Sequence, residues 1–189
     1  MNFSTNGFEE EEKEFASPYI RPGVHEAKVK SIEYFESSKK GTPGIKFTFE
    51  GRKVGEQLDG PVAETSLWLS EKAWEYTQRT LTRMASAFDT REALDAVEVD
   101  GAKEYVEAIT PHIVGIWARF LFIGEEVEGR DGKNNWFKAT LPFYAQIEGL
   151  EVTQEESKIT FNEEKHLEKL PEPTEEDMVA TSTTDDLPF

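Results

Sequence analysis

Ile45-Lys46-Phe47-Thr48-Phe49-Glu50 alternates apolar and polar side chains without a break. A period of two sends successive side chains to opposite faces of an extended strand. The stretch therefore predicts a strand with Ile45, Phe47 and Phe49 turned into a core. On its N-terminal side, residues 37–44 (SSKKGTPG) read as a turn rich in Gly and Pro. Before that turn, Val24 to Phe35 forms a second strand signal, with Ala27 and Val29 alternating with Lys28 and Lys30. On the C-terminal side, residues 51–61 read as a loop and Thr65 to Leu69 as a third short strand.

Ser70 then stands where a helix cap is preferred. Trp74, Leu81, Met84, Ala85 and Phe88 follow at helical spacing, which assigns Trp74 to packing. Helix restarts from Arg91 to Ala96, and again after Asp100 and Gly101 to about Ile109, before Pro111. A fourth strand is expected from Ile113 to Ile123, a polar Gly-rich loop from Gly124 to Asn135, and a fifth strand from Trp136 to about Ile147. Three strands, a helical insert and two strands is the order of the oligonucleotide- and oligosaccharide-binding (OB) barrel. The expected fold is mainly β: a five-stranded OB-fold barrel with helices between strands 3 and 4, followed by a disordered acidic C-terminal tail.

The chain of 189 residues carries 21 Lys and Arg against 38 Asp and Glu, a formal net charge of −17. Of this, −13 lies in residues 1–16 and 151–189, leaving residues 17–150 at −4. This divides the chain into an acidic N-terminal arm (1–16), a barrel domain (17–150) and an acidic, largely disordered tail (151–189). The end of the tail, PEPTEEDMVATSTTDDLPF from Pro171, has too few apolar residues to offset chain entropy. The whole-chain charge argues against a phosphate-rich partner. The near-balanced domain does not, because it has room for a local basic face. Cysteine is absent, which excludes disulfides, thiolate zinc sites and cysteine nucleophiles. The start, MNFSTNGFEEEE, has acids where a signal peptide needs basic and apolar regions, so export and membrane insertion are not expected.

With Ala27, Val29, Ile45, Phe47, Phe49, Leu67, Leu69, Phe137, Ala139 and Leu141 inside, the other face of the strands carries Lys28, Lys30, Lys46, Thr48, Trp68, Trp136 and Lys138. If Arg119 points outward, Trp117 goes with it. Rings beside cations suit single-stranded nucleic acid, whose bases stack on aromatic side chains while its backbone needs positive charge. The bland alternative is that these indoles pack under a helix, a tail or another subunit. The two loops add Lys39, Lys40, Arg130 and Lys133, where OB barrels contact ligands. No catalytic constellation stands out. His25, His112 and His166 are scattered without metal-ligand spacing, and there is no phosphate-binding Gly-Lys-Ser/Thr loop or Gly-x-Ser-x-Gly elbow. The expectation is a non-enzyme with no metal and no cofactor.

The final residues, Asp185-Asp186-Leu187-Pro188-Phe189, put an acidic pair, an apolar residue, Pro and a terminal Phe at the free carboxylate. This resembles the C-terminal tip of bacterial single-stranded DNA-binding proteins. Pro22 to Lys30 and Lys40 to Phe47 are also similar to small phage-encoded single-stranded DNA-binding proteins. The resemblance implies a sequence-tolerant protein that coats single-stranded DNA in phage DNA replication, recombination or repair. It implies a cytoplasmic location, the host cytoplasm for a phage product. It further implies that Asp185, Asp186, Leu187, Pro188 and Phe189 recruit replication or recombination enzymes; separately, a flexible tail at high effective concentration is expected to compete for the protein's own basic groove. The helical insert between Ser70 and Ile109 is longer than in the bacterial proteins, and the subunit arrangement does not carry over, leaving a homo-oligomer open. The alternatives are an acidic protein-interaction module or DNA mimic and, third, a Mg-dependent nuclease.

Overall fold

A computed structural model of the chain describes residues 17–53, 59–129, 135–142 and 144–170. It is mainly β. Strand β1 (Gly23–Glu36) pairs with β2 (Pro43–Gly51), and β2 with β3 (Val62–Trp68). Helices α1 (Glu71–Ala87), α2 (Arg91–Asp95) and α3 (Ala102–Ile109) and a short 3-10 turn follow. The chain then returns as β4 (Trp117–Val127) and β5 (Trp136–Thr140). The shorter β6 (Ile147–Gly149), α4 (Glu163–His166) and β7 (Leu167–Glu168) complete it. Together the strands make an open seven-stranded sheet in the order β3-β2-β1-β4-β5, with β6 and β7 also pairing with β4. All pairs are antiparallel except β7 against β4.

The alternation of β2 is realised as read: Ile45, Phe47 and Phe49 are fully buried. Phe49 meets Phe120 and Phe122 of β4 edge-on at 5.2 and 5.5 Å. Each such side chain contributes roughly 1.5–3 kcal/mol through removal from water. Helix α1 lies over this inner face. It buries Leu81, Met84 and Ala85, and Phe88, just past its end, reaches Phe120 at 6.2 Å. The outer strands β3 and β5 are linked by side chains. Buried Thr65 accepts the Leu141 amide at 2.8 Å and lies 3.1 Å from the Thr140 hydroxyl. The segment before β1 runs beside β3, where Ile20 donates to Val62 and Val62 to Pro18, both at 2.9 Å.

The structure corrects the sequence reading in four places. Strand β4 starts at Trp117 rather than Ile113, because Ile113 closes the 3-10 turn and Gly115 takes a positive φ of 86° that lets its amide reach Val29 at 2.8 Å. The expected fifth strand breaks after Thr140, where Pro142 offers no ladder donor, and resumes as β6. A bulge between Val29 and Ser31 shifts the register of β1. Beyond it Ile32 and Tyr34 pair with Phe47 and Ile45, while Ser31, Glu33 and Phe35 go to the outer face. Finally, the folded unit continues past residue 150: Ile159 and His166 are buried, and Leu167 pairs with Gly124. No helix among the described residues is long and apolar enough to cross a membrane.

Candidate nucleic-acid interface

The registers lay the outer face of β3-β2-β1-β4 out as rows. One row runs Arg52, Glu26, Arg119, Glu148; the next Val62, Glu50, Lys28, Trp117. Then come Glu64, Thr48 and Ser31, followed by Ser66, Lys46 and Glu33, and finally Trp68, Gly44 and Phe35. At ~3.3 Å per residue and two residues per row, the Trp117 row and the Trp68 row are about 20 Å apart.

Three of the four tryptophans stand on this surface in distinct settings. Trp68 is 40% exposed and meets Phe35 edge-on at 5.2 Å. Gly44 makes room for that pair, since a Cβ there would come 2.6 Å from the Phe35 ring. Trp136 is 47% exposed and stacks with Tyr19 at 6.3 Å; Tyr19 is bridged to Val62, the end of the second row. Trp117 is half-buried beneath two cations, with Arg52 4.8 Å and Lys28 5.5 Å from its ring centre. Trp74, which helical spacing assigns to packing, is only partly buried and lies outside the core cluster; it meets Tyr105 of α3 edge-on at 5.6 Å.

The cations are less free than the alternation pattern implied. Lys28 and Lys30 both reach Glu50, at 3.4 and 3.7 Å. Burial pushes the Glu50 carboxyl up, but the Gly60 amide and the two ammonium groups outweigh it and hold the carboxyl below its ordinary range. Lys46 pairs with Glu64 at 2.8 Å, and that hydrogen bond holds the ammonium above its ordinary range. Arg119 shares the Trp117 face, as expected, but is 6% exposed. Its guanidinium lies 3.9 Å from Glu26 and 3.7 Å from Glu148 and donates to the Val152 carbonyl at 3.0 Å. Burial pushes the Glu148 carboxyl up. The Ser157 hydroxyl at 2.6 Å, the Lys158 amide at 2.9 Å and the Arg119 charge more than offset this and hold it low. The rows hold Lys28, Lys46, Arg52 and Arg119 against Glu26, Glu33, Glu50, Glu64 and Glu148, and Lys30 at the bulge brings the face to charge balance.

The free positive charge lies at the margins. Lys39 and Lys40 are exposed in the β1–β2 turn, close in sequence to Phe35, and Lys138 is exposed opposite Glu125. None of the three makes an ion pair among the described residues. Arg130 and Lys133 lie outside the described residues, as do Asp185, Asp186, Leu187, Pro188 and Phe189.

Three residues of this surface escape sequence reasoning. Phe35 has the parity of Val29 and reads as core unless the bulge is known. Arg52 sits in a stretch read as plain loop, and Tyr19 precedes the first strand signal. Arg52, directly after β2, carries the weak signal of a cation flanking a strand; Tyr19, four residues before β1, carries none. Among the described residues no group of three or more His, Asp or Glu is arranged to hold a metal ion. No family model matches the chain, and no curated protein matches it.

Proposed function

We propose that this protein binds single-stranded DNA without sequence preference and acts by coating it, as a non-catalytic protein of DNA replication, recombination or repair. The observation that carries the reading is the set of solvent-facing rings, Trp68 with Phe35 and Trp136 with Tyr19, at two margins of one sheet surface. Base stacking on such rings contributes ~1–3 kcal/mol per base and tolerates any sequence. A duplex keeps its base faces stacked inside and gains nothing from them.

The strand order also supports an OB barrel. Strand β1 is shared between β1-β2-β3 and β1-β4-β5, and Thr65 brings β3 to β5. In that fold the face of strands 2 and 3 and the first and fourth inter-strand loops hold oligonucleotides. Trp68, Lys46, Lys39 and Lys40 belong to those elements here. The charge-balanced face adds a refinement: phosphates meet Lys39, Lys40 and Lys138 directly, whereas Lys28, Lys30 and Lys46 engage only by giving up a glutamate. Binding is therefore led by stacking, with a moderate salt dependence.

The stretch Asp185-Asp186-Leu187-Pro188-Phe189, with acids beside apolar Leu187 and Phe189, supports a role in recruiting partner enzymes. The test is a titration of labelled oligonucleotides against the full chain, single-stranded and duplex, at several salt concentrations. The expected result is a clear preference for the single strand, weakening as salt rises. Equal affinity for both forms, or none at low salt, contradicts the proposal and favours a protein-interaction module.

A further inference from the structure

The helical layer carries a feature that single-strand binding does not use. Between the start of α1, the 96–101 connection and α3 lies an open groove of about 980 Å³. Its walls are apolar: Leu69, Trp74, Val97, Val99 and Tyr105. Trp74 and Tyr105 are only partly buried despite their mutual contact, and Val99 is 45% exposed. All the charged lining residues, Glu71, Glu98 and Asp100, are acids. The nearest bases in sequence, Lys72 and Lys103, do not line the groove, and Lys103 is paired with Glu107 at 4.0 Å.

We propose that this groove is a docking site for a partner protein segment in which an aromatic or aliphatic anchor is flanked by Lys or Arg. The apolar walls offer the kind of desolvated pocket in which a single large side chain supplies most of the binding energy. The acidic rim selects the flanks, because opposite charge steers encounter and like charge excludes other occupants. That rim turns away DNA phosphates. It equally turns away this chain's own acid-rich ends, residues 1–16 and 171–189. The groove therefore takes a foreign basic segment while the sheet's outer face remains open, so one molecule holds a strand and a basic partner together.

The test uses the full chain and labelled synthetic hexapeptides. Each has Lys-Arg at both ends and a central pair of Leu, Phe, Met or Trp; a Ser-Ser peptide of the same charge is the control. At least one apolar peptide should bind roughly tenfold or more tightly than the Ser-Ser control, the loss expected for removing one anchor. Glu98→Lys with Asp100→Lys, both at exposed loop positions, should weaken that peptide by a similar factor without weakening oligonucleotide binding. Val99→Ser should weaken it without altering the charge. Equal binding of apolar and Ser-Ser peptides shows attraction by charge alone and overturns the proposal, as does indifference to the charge reversal. Concentration-dependent self-association that the same reversal abolishes assigns the groove to a second copy of this chain and also overturns it.

Discussion

Glu50→Gln should strengthen DNA binding at low salt and make it more sensitive to salt. Glu50 is 7% exposed, lies 3.4 and 3.7 Å from the Lys28 and Lys30 ammonium groups, and accepts the Gly60 amide at 3.3 Å. Glutamine keeps the shape and an acceptor for Gly60 while removing the charge that occupies both lysines. For single strands the salt slope is about −0.7 per phosphate neutralised, so two released lysines steepen it by ~1.4 and add a roughly sevenfold extra loss of affinity between ~50 and ~200 mM salt. The cost in stability is small. Both lysines are partly exposed, at 31% and 43%, and solvent-screened pairs of this kind are worth ~0–1 kcal/mol each. The assay is anisotropy of a labelled oligonucleotide at four or more salt concentrations, with urea unfolding of the same variant. An unchanged slope in a variant that is still folded refutes the reasoning, because it means that Lys28 and Lys30 do not face the strand.

Three further outcomes follow from the same geometry. Trp68→Ala should lose one stacking platform, ~1–3 kcal/mol or roughly 5- to 150-fold in Kd, while Trp68→Phe retains most of the affinity; titration of both variants checks this. Arg119→Leu should destabilise the fold by roughly 1–3 kcal/mol in urea unfolding, because it leaves Glu26 and Glu148 without their shared partner, and the figure is reduced from a fully buried case because Glu26 is one-third exposed. Stability should fall with acid in two steps. Burial holds the His25 imidazole below its ordinary 6.5 against an opposing backbone hydrogen bond with Arg21. The unfolded chain therefore takes up a proton that the folded chain refuses, and stability, complete above pH 6.5, declines as pH falls from there toward the lowered value. Glu50 and Glu148, both held below their ordinary 4.5, lose their contributions only below that pH. Thermal melts across pH should show His25→Leu removing the first step alone. At neutral pH it should cost only about 0.5–1.5 kcal/mol, for the lost hydrogen bond with the Arg21 backbone, since the buried Nε2 has no partner among the described residues to lose.

Much of the fold was legible because its strands alternate cleanly. Phe47 and Phe49 against Lys46 and Thr48 left one arrangement for β2, and helical spacing from Trp74 to Phe88 defined α1. What escaped was non-local. The bulge at Lys30 is a mismatch between β1 and β2, and neither strand alone reveals it; yet it decides that Phe35 rather than Tyr34 joins Trp68. The order of residues 151–170 was missed because their acids suggested solvent. Glu148 in fact gathers Arg119, Ser157 and the Lys158 amide, and Ile159 and His166 supply buried contacts. The candidate surface was half legible. Alternation identified its tryptophans and lysines, but charge balance depends on cross-strand partners such as Glu64 opposite Thr48 and Glu50 opposite Lys28, which only the registers define.

The central claim is that bases rest on the rings of one sheet surface. Photocrosslinking of a bromouracil-substituted single strand to the full chain, with the attached residues mapped by mass spectrometry, tests it most directly. The account predicts adducts at Trp68, Phe35, Trp136 and Tyr19, removed by excess unlabelled single strand and not by duplex. Adducts confined to the helical layer around Trp74 and Tyr105, or no adduct at all under conditions of binding, contradict it.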